Sequence, residues 1–290
     1  MLYRQNVVIG AALIVASELL FASMGAAIKL ASATLNNEMI VFLRNAVGMS
    51  LLLPIVLRYG ANATLATRVP HLHLLRASAG VAAMYCFYHA LSELGLAEGM
   101  LLKMTAPVFI PIIAFLWLRE VPGRLLIVAV PVGFAGLLLA LDPRAEINPA
   151  ALVGLLAALA KVTVRRLSRT EPTTRVVFYF AVLAMLISSL PLVWAWRTPS
   201  LGELGLLILI GAAGTAGQFL LTPGYAAASA AQVAPFTYFS VLFATGYGYL
   251  FWGELLSGQF VGGALLIAAA GVMAICRRRA VAATASLTPP

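Results

Sequence analysis

The sequence is poor in charge: Asp, Glu, Lys and Arg together make up 10% of its 290 residues. A soluble domain typically has about 25%, so this chain lacks the charge needed to cover a water-facing surface. Asp142 is the single aspartate, which excludes the paired-aspartate chemistry of some intramembrane enzymes. Neither an HExxH metal motif nor a Walker nucleotide motif occurs, and we predict no cofactor, no metal site and no catalytic residue.

Cysteine is scarce too. Cys86 and Cys276 lie in apolar segments without a CxxC pair, so we interpret both as small core residues, not as a disulfide or a metal site. The net charge of +9 would suit a nucleic-acid partner. The basic residues are scattered between apolar runs and form no basic stripe, so we predict no nucleic-acid binding.

What the chain has in excess is apolar sequence: 62% of its residues are hydrophobic and the mean hydropathy is +0.98. A membrane-spanning helix needs about 20 predominantly apolar residues. The sequence therefore predicts an all-α integral membrane protein whose partner is the lipid bilayer. The ten predicted spans are 7–31, 39–58, 72–94, 97–118, 124–141, 149–164, 176–196, 203–222, 232–252 and 258–276.

Two segments depart from this regular pattern. The sixth span is short, because Arg165 and Arg166 follow its apolar run directly. It is predicted to be less tilted than the others, to be partly unwound, or to lack residues present in its counterpart. The tail 280–290 is small and polar, and is predicted to be a disordered cytoplasmic segment.

The basic residues predict the orientation, since cytoplasmic loops carry an excess of Lys and Arg. Alternation from the N-terminus puts thirteen of the nineteen basic residues, Arg76 among them, on the N-terminal side. Only Arg144 and Arg197 fall on the other side. Both termini are therefore predicted to lie in the cytoplasm. The membrane is expected to be a bacterial inner membrane.

The chain carries an internal repeat at a spacing of roughly 135 residues. The matching residues are Trp117 and Trp252, Gly123 and Gly258, and Gly136 and Gly271. We predict one five-helix repeat at 1–142 and a second at 143–279. Because five is odd, the second repeat enters the membrane from the opposite face. Inverted repeats of this kind enclose a midplane site in many secondary transporters.

The order of short motifs along the chain resembles the drug/metabolite transporters of the EamA type. The first half carries Leu75-Arg76-Ala77-Ser78-Ala79-Gly80, Tyr88-His89-Ala90-Leu91, Ala106-Pro107-Val108-Phe109, Glu120 and Gly136. The second half carries Gly214-Thr215-Ala216, Tyr225-Ala226, Ala234-Pro235-Phe236, Glu254 and Gly271. The resemblance covers nearly the whole chain. It implies ten helices with both termini inside, a single chain enclosing its own cavity, and export of small metabolites.

Ionisable groups at membrane depth are costly and mark candidate functional sites. Glu18 lies in the middle of the first span, and Lys161 lies at similar depth in the sixth. We predict that both face the central cavity, where they pair with each other or bind the opposite charges of a zwitterion. The alternatives are a static pair between helices, or a Lys161 that snorkels to the surface. Lys29, Arg44 and Lys103 are interpreted as anchors.

Ser78, Tyr85 and His89 share one face of the third span, with Tyr88 beside them. Aromatic rings with polar tips would suit an amphiphilic substrate; ordinary helix packing is the alternative. Gln218 and Tyr238 are further substrate-binding candidates. The remaining candidates are predicted to act in helix packing or gating, as close-packed glycines or helix-kinking prolines: Gly211, Gly214, Gly217, Pro107, Pro111 and Pro235.

These features together predict a secondary exporter of small metabolites that is not an enzyme. Because the midplane candidates are one acid and one base, and because related bacterial exporters move such cargo, hydrophobic or aromatic amino acids are the favoured substrate. The same fold would also serve cationic drugs, nucleobases or sugar derivatives. An intramembrane enzyme and a channel are more distant alternatives, since the sequence contains neither a catalytic constellation nor a polar pore-lining repeat.

Overall fold

The computed structural model consists of helices packed along one another, as a chain in lipid requires if its backbone is to be hydrogen-bonded internally. It describes residues 7–59, 66–103, 105–119, 124–140, 147–167, 170–227, 234–255, 257–266, 268–270 and 273. The predicted tail at 280–290 and the predicted repeat boundary at 142/143 lie outside these residues.

Within the described residues, the helical segments fall into ten groups that follow the predicted spans. They are α1 (Val7–Ala31), α2 (Asn37–Tyr59), α3 (Pro70–Glu93), α4a (Leu96–Lys103) with α4b (Ala106–Leu118), α5 (Arg124–Ala140), α6 (Ile147–Leu167), α7 (Thr173–Ser189), α8 (Leu201–Ala227), α9 (a 3-10 turn Ala234–Tyr238, then Phe239–Trp252) and α10 (Gly258–Ala270). Two of them, Val8–Ala31 and Leu201–Leu221, are apolar over enough length to cross a bilayer unaided. The chain is a multi-span all-α membrane protein with two repeats.

The sixth span is not short, so that prediction was wrong. Helix α6 has 21 residues, about 30 Å at the usual rise per residue, and it continues through Arg165 and Arg166. The two arginines lower the local hydropathy, but the backbone stays helical through both of them. A helix of this length can span the bilayer without unwinding.

The pseudo-symmetry of the two repeats is visible in the contacts between helices. Helix α1 packs along α8 and α9, and α6 packs along α3 and α4. Helix α2 lies against α8 as α7 lies against α3, while the pairs α2–α7 and α4–α9 map onto themselves. Raising each helix number by five therefore exchanges one set of contacts for the other. The two repeats interlock, each contributing helices to one shared interior.

Two ends of the bundle are used as landmarks below. The near end is the one at which α1 begins, and the far end is the one at which α1 finishes. At the far end, Gly253 adopts φ 65°, a left-handed conformation that glycine tolerates, and it caps the C-terminus of α9. This turn brings Glu254 back towards α9 and the neighbouring helix ends.

Candidate functional site

An ion pair lies at the middle of the bundle. Glu18 is in the centre of α1, and one of its carboxylate oxygens is 3.2 Å from Nζ of Lys103. The Glu18 side chain is 5% exposed and that of Lys103 is 21% exposed. The ring of Phe21, one helical turn along α1, lies 5.4 Å from the same ammonium. A charge at this depth costs about 2.5–3.5 kcal/mol on insertion scales, so each partner stabilises the other.

Lys103 reaches this position because α4 is interrupted. Helix α4a ends at Lys103, and α4b begins at Ala106 after a turn in which Thr105 donates a hydrogen bond to the Leu102 carbonyl over 2.7 Å. The C-terminal end of a helix favours a cation, as Lys103 supplies. Interrupted helices at mid-depth mark the binding sites of many transporters. Lys103 was interpreted from the sequence as an anchor, a role that does not account for its ion pair with Glu18.

Lys161 is brought to the same region from α6. Its side chain is exposed by surface area, yet its charge interacts with Glu18, Lys103 and Arg76, which belong to three other helices. Its ammonium therefore lies within electrostatic range of the Glu18–Lys103 pair. The predicted pairing of Glu18 with Lys161 is replaced here by the pair Glu18–Lys103, because α1 packs against α4, α8 and α9.

Arg76 was not singled out from the sequence. It was counted with the basic residues of the N-terminal side, at the start of the predicted span 72–94. In the structure α3 begins at Pro70, a residue type suited to the first helical turn, so Arg76 lies well inside the helix. Its guanidinium carbon is 4.0 Å from the centroid of the Phe180 ring on α7. Its Nε is buried and has no hydrogen-bond partner among the described residues.

Arg44 on α2 is the fourth basic residue at membrane depth, and only 6% of its surface is exposed. Its Nη1 donates to the Asn45 side-chain oxygen over 2.9 Å, and Asn45 in turn donates to the Ser188 hydroxyl over 3.3 Å. These partners are neutral, and Nε has no partner among the described residues. The charge of Arg44 interacts with that of Arg76. The midplane cluster is hereafter the set Glu18, Arg44, Arg76, Lys103 and Lys161.

Other predicted binding residues are distributed around α3, α8 and α9. Ser78 and His89 lie on an exposed strip of α3, and no described contact links them to Glu18. Tyr88 is buried in the main apolar core and interacts electrostatically with Arg44. Tyr85 packs at the edge of that core, and its hydroxyl is buried without a hydrogen-bond partner in the described part of the chain.

Gln218 and Tyr238 lie further along the second repeat. Gln218 is half-buried on α8, one residue after Gly217. Tyr238 closes the 3-10 turn that opens α9 and packs on an apolar group that includes Leu101 and Phe260. The prolines predicted to bend helices lie in corresponding places: Pro107 and Pro111 in α4b, and Pro235 in the 3-10 turn of α9.

The glycine stripe on α8 faces α1 and α2. A methyl group on Gly211 would meet the Val47 side chain, and one on Gly217 would come within 2.7 Å of the Phe21 ring. On Gly214 it would lie 3.2 Å from both Nε and Nη2 of Arg44. The middle of the stripe therefore leaves the space that the Arg44 guanidinium occupies.

At the far end, an ion pair ties three helix ends together. Lys29 forms an ion pair with Glu254, donates to the Leu94 carbonyl over 2.9 Å and lies 5.2 Å from the Trp252 ring centroid. The second oxygen of Glu254 accepts a hydrogen bond from the Leu96 amide over 2.8 Å. We call these five residues the far-end network. It joins the end of α1 to the α3–α4 turn and to the end of α9.

At the near end, Glu171 before α7 accepts a hydrogen bond from Thr67 over 2.7 Å and pairs with Arg175. Burial alone raises the pKa of Glu171, but the hydrogen bonds from Arg175 and Thr67 and the charges of Arg175 and His73 outweigh burial and hold this pKa below its ordinary 4.5. The contact ties the segment before α3 to the segment before α7.

An apolar groove is separate from the midplane cluster. It has a volume of about 620 Å³ and runs between the first half of α1 and the start of α9. Val8, Val15, Leu19 and Phe236 are among its lining residues, and none of the described lining residues is charged. Its chemistry suits a lipid chain better than a charged solute, so the polar site is the midplane cluster.

Comparisons with known proteins agree with this architecture. The Pseudopaline exporter CntI of Pseudomonas aeruginosa is 34% identical over 269 residues, which cover 90% of this chain and 94% of that protein. The S-adenosylmethionine uptake transporter of Rickettsia bellii is 29% identical over 79% of this chain and 80% of its own length. The Riboflavin transporter of Rhizobium johnstonii is 31% identical over 76% and 74%.

A solved crystal structure matches the fold with a TM-score of 0.69 at 16% identity, over 94% of this chain and 98% of that one. The relatives are small-molecule transporters, some named for export and some for uptake, so this chain is a small-molecule transporter of the bacterial inner membrane and not an enzyme. Residues 8–141 and 148–276 each match the family described as the EamA-like transporter family, and the chain belongs to that family.

Proposed function

We propose that this transporter exports amino acids, or molecules built from them, out of the cytoplasm by alternating access. The observation that carries the proposal is the Glu18–Lys103 pair at mid-depth, with Lys161 within electrostatic range. When a zwitterion binds, two ion pairs replace the Glu18–Lys103 pair: its ammonium binds Glu18, and its carboxylate binds a lysine. Phe21 and Phe180 supply apolar walls for its side chain, including a hydrophobic or aromatic one.

The direction of transport follows from the proposed orientation. The excess of basic residues on the N-terminal side assigns the near end to the cytoplasm. Loading then occurs from the near end, and release requires the far-end network to separate. The similarity to a protein named as an exporter supports this direction, although other relatives are named for uptake.

The unit of transport is proposed to be one chain made of the repeats 1–142 and 143–279. The contacts of α1 with α8 and of α6 with α3 cross between these two halves. Each half contributes charge to the shared interior: Glu18 and Lys103 come from the first, and Lys161 from the second. A single chain thus holds a complete site.

The alternative of a multidrug exporter for lipophilic cations is disfavoured. A cationic drug would have to approach four basic side chains with only Glu18 to attract it. Neutral cargo such as a nucleobase or a sugar derivative would leave the charges of the midplane cluster without a role. Neither alternative is favoured by a described contact.

Counterflow in proteoliposomes tests the proposal. Vesicles are preloaded with an unlabelled solute, and entry of labelled phenylalanine, methionine, threonine or glutamine is followed against a cationic dye. Wild-type protein is expected to exchange amino acids saturably. Exchange should fall at least about tenfold in Glu18→Gln, because removing one partner of a buried pair leaves the other charge unpaired.

The matched control is Arg197→Gln, which removes an exposed ion pair with Glu203 at the far end. It is expected to exchange amino acids like the wild type. Exchange of the dye alone would replace this proposal by the multidrug alternative. Folded protein that exchanges no amino acid would overturn it.

A further inference from the structure

The charges at membrane depth do not balance. The midplane cluster contains four basic side chains and a single acid, Glu18. Of the other described carboxylates, Glu254 pairs with Lys29, Glu203 with Arg197, and Glu171 with Arg175. Glu38, Glu93 and Glu98 lie in the first or last turn of their helices at the far end, away from the midplane. Glu18 is paired with Lys103. No described carboxylate is then left to form an ion pair with Arg44, Arg76 or Lys161.

An uncompensated cluster of this kind is costly. Like charges that interact through a medium of low polarity destabilise one another, as Arg44 and Arg76 do here. Arg44 is buried, and both arginines retain an Nε without a partner in the described part of the chain. Ionisable groups are retained inside a membrane protein chiefly where they bind something. Guanidinium groups are best satisfied by carboxylate or phosphate oxygens.

The basic groups are also spread along the bundle axis. Lys103 and Arg44 are each seven residues from the far ends of their helices, and Arg76 and Lys161 are each six residues from the near ends. At about 1.5 Å per residue, the two sets lie on opposite sides of the midplane. A substrate that engages both sets is therefore longer than the backbone part of one amino acid.

We propose that the midplane cluster binds an amino-acid-like substrate that carries at least one carboxylate beyond that of a simple zwitterion. Glu18 and Lys103 receive its ammonium and one carboxylate, and Arg76 and Lys161 receive a further carboxylate on the near side. Arg44 adds positive potential from the far side. This inference rests on the proposed function and narrows its substrate class to acidic amino acids and amino-acid derivatives with several carboxylates.

Isosteric pairs test the charge requirement without changing size. Counterflow is measured with glutamate against glutamine, and with γ-glutamylglutamate against γ-glutamylglutamine, in the same proteoliposomes. The acidic member of each pair is expected to exchange at least about tenfold faster at low concentration, as expected for a charge-assisted bidentate contact. The larger acidic probe is expected to show the greater preference, because it reaches both sets of basic groups.

Variants assign the preference to particular residues. Lys161→Gln is the primary variant, since the Lys161 side chain is exposed by surface area and glutamine keeps much of its length without the charge. Arg76→Gln is the second, and Arg76→Lys is its conservative partner. Each Gln variant is expected to reduce the acid-to-amide ratio to within about threefold of unity, and Arg76→Lys is expected to restore part of the ratio.

The outcomes separate the inference from the proposed function. Saturable exchange of the amides with no preference for the acids overturns the inference and leaves the proposed function standing. An acid preference that survives in both Gln variants also overturns it, because the preference then lies elsewhere. Absence of exchange for every probe by folded protein overturns the proposed function, and the inference with it.

Discussion

The far-end network and the midplane cluster treat charge in opposite ways. In the far-end network, Lys29 pairs with Glu254, and both oxygens of Glu254 have partners. The midplane cluster has four cations and the single acid Glu18, which pairs with Lys103, and two guanidinium groups keep an Nε without a partner among the described residues. The first arrangement is complete within the protein, whereas the second is completed by something that the protein binds.

This difference distinguishes structural from functional ionisable residues in a membrane transporter. Position alone does not separate a structural charge from a functional one, since Lys29 and Lys103 both lie within helices. The balance of partners does separate them. A matched pair joins helices and is broken only by movement, while an unmatched cation is available to an anionic substrate.

The largest expected effect comes from removing the one anion of the midplane cluster. Glu18→Gln leaves Lys103 without a partner, so we expect counterflow to fall at least about tenfold and the apparent Tm to fall. The double variant Glu18→Gln/Lys103→Gln should be more stable than the sum of the single variants predicts, because the buried charge is gone as well. Additive changes in Tm would show that the two side chains are not coupled.

A smaller effect is expected from crowding Arg44. In Gly214→Ala, the new methyl group meets the flexible Met24 side chain and the Arg44 guanidinium. The acid-to-amide ratio in counterflow should fall several-fold, with stability changed by about 1–3 kcal/mol or less. Gly205→Ala on the same helix is the matched control, because nothing lies within 4 Å of its added carbon. Equal ratios in the two alanine variants would contradict the placement of Arg44.

Breaking the far-end network should change access more than substrate preference. Lys29→Gln removes the ion pair with Glu254, so the far end should open more often. The native thiol of Cys86, partly buried on α3 near this end, reports the opening in a Cys276→Ser background. We expect a membrane-impermeant thiol reagent to label it several-fold faster, with the acid-to-amide ratio preserved. Arg197→Gln is the control and should leave the labelling rate unchanged. An unchanged labelling rate in Lys29→Gln would show that the far-end network does not control opening of this end.

The smallest effect is expected at the near end. Because the pKa of Glu171 is held below its ordinary 4.5, its ionised form stabilises the fold above that pH, and this contribution is lost as the pH falls through the lowered value. Glu171→Gln should lower the apparent Tm by about 2–4 °C at pH 7. The difference from wild type should shrink below pH 4.5. A difference that does not change with pH would assign the effect to packing.

Much of the fold follows from the sequence. Apolar run length predicts the helices, and the repeat of Trp117 at Trp252 predicts two related halves, because lipid permits few other arrangements of backbone. The prediction of a multi-span all-α protein with two repeats is confirmed, as is membership of the family. The length of α6 was predicted wrongly, because hydropathy falls at Arg165 while the helix continues.

Less of the candidate site follows from the sequence. Glu18 was predicted from its depth alone, which a single helix determines. Its partner depends on which helices touch, and sequence spacing does not encode that contact. Arg76 was counted among the charges that set the orientation, so it was not considered as a binding residue. The signal that points to Arg76 is its position six residues into a helix that starts with proline.

Equilibrium binding of labelled glutamate and glutamine to purified protein, measured by scintillation proximity, tests directly whether the midplane cluster selects an additional carboxylate. We expect wild type and Lys29→Gln to bind glutamate at least about tenfold more tightly than glutamine, and Lys161→Gln to bind the two alike. Equal affinities in wild-type protein, or a glutamate preference that Lys161→Gln retains in full, would show that the cluster does not select this carboxylate.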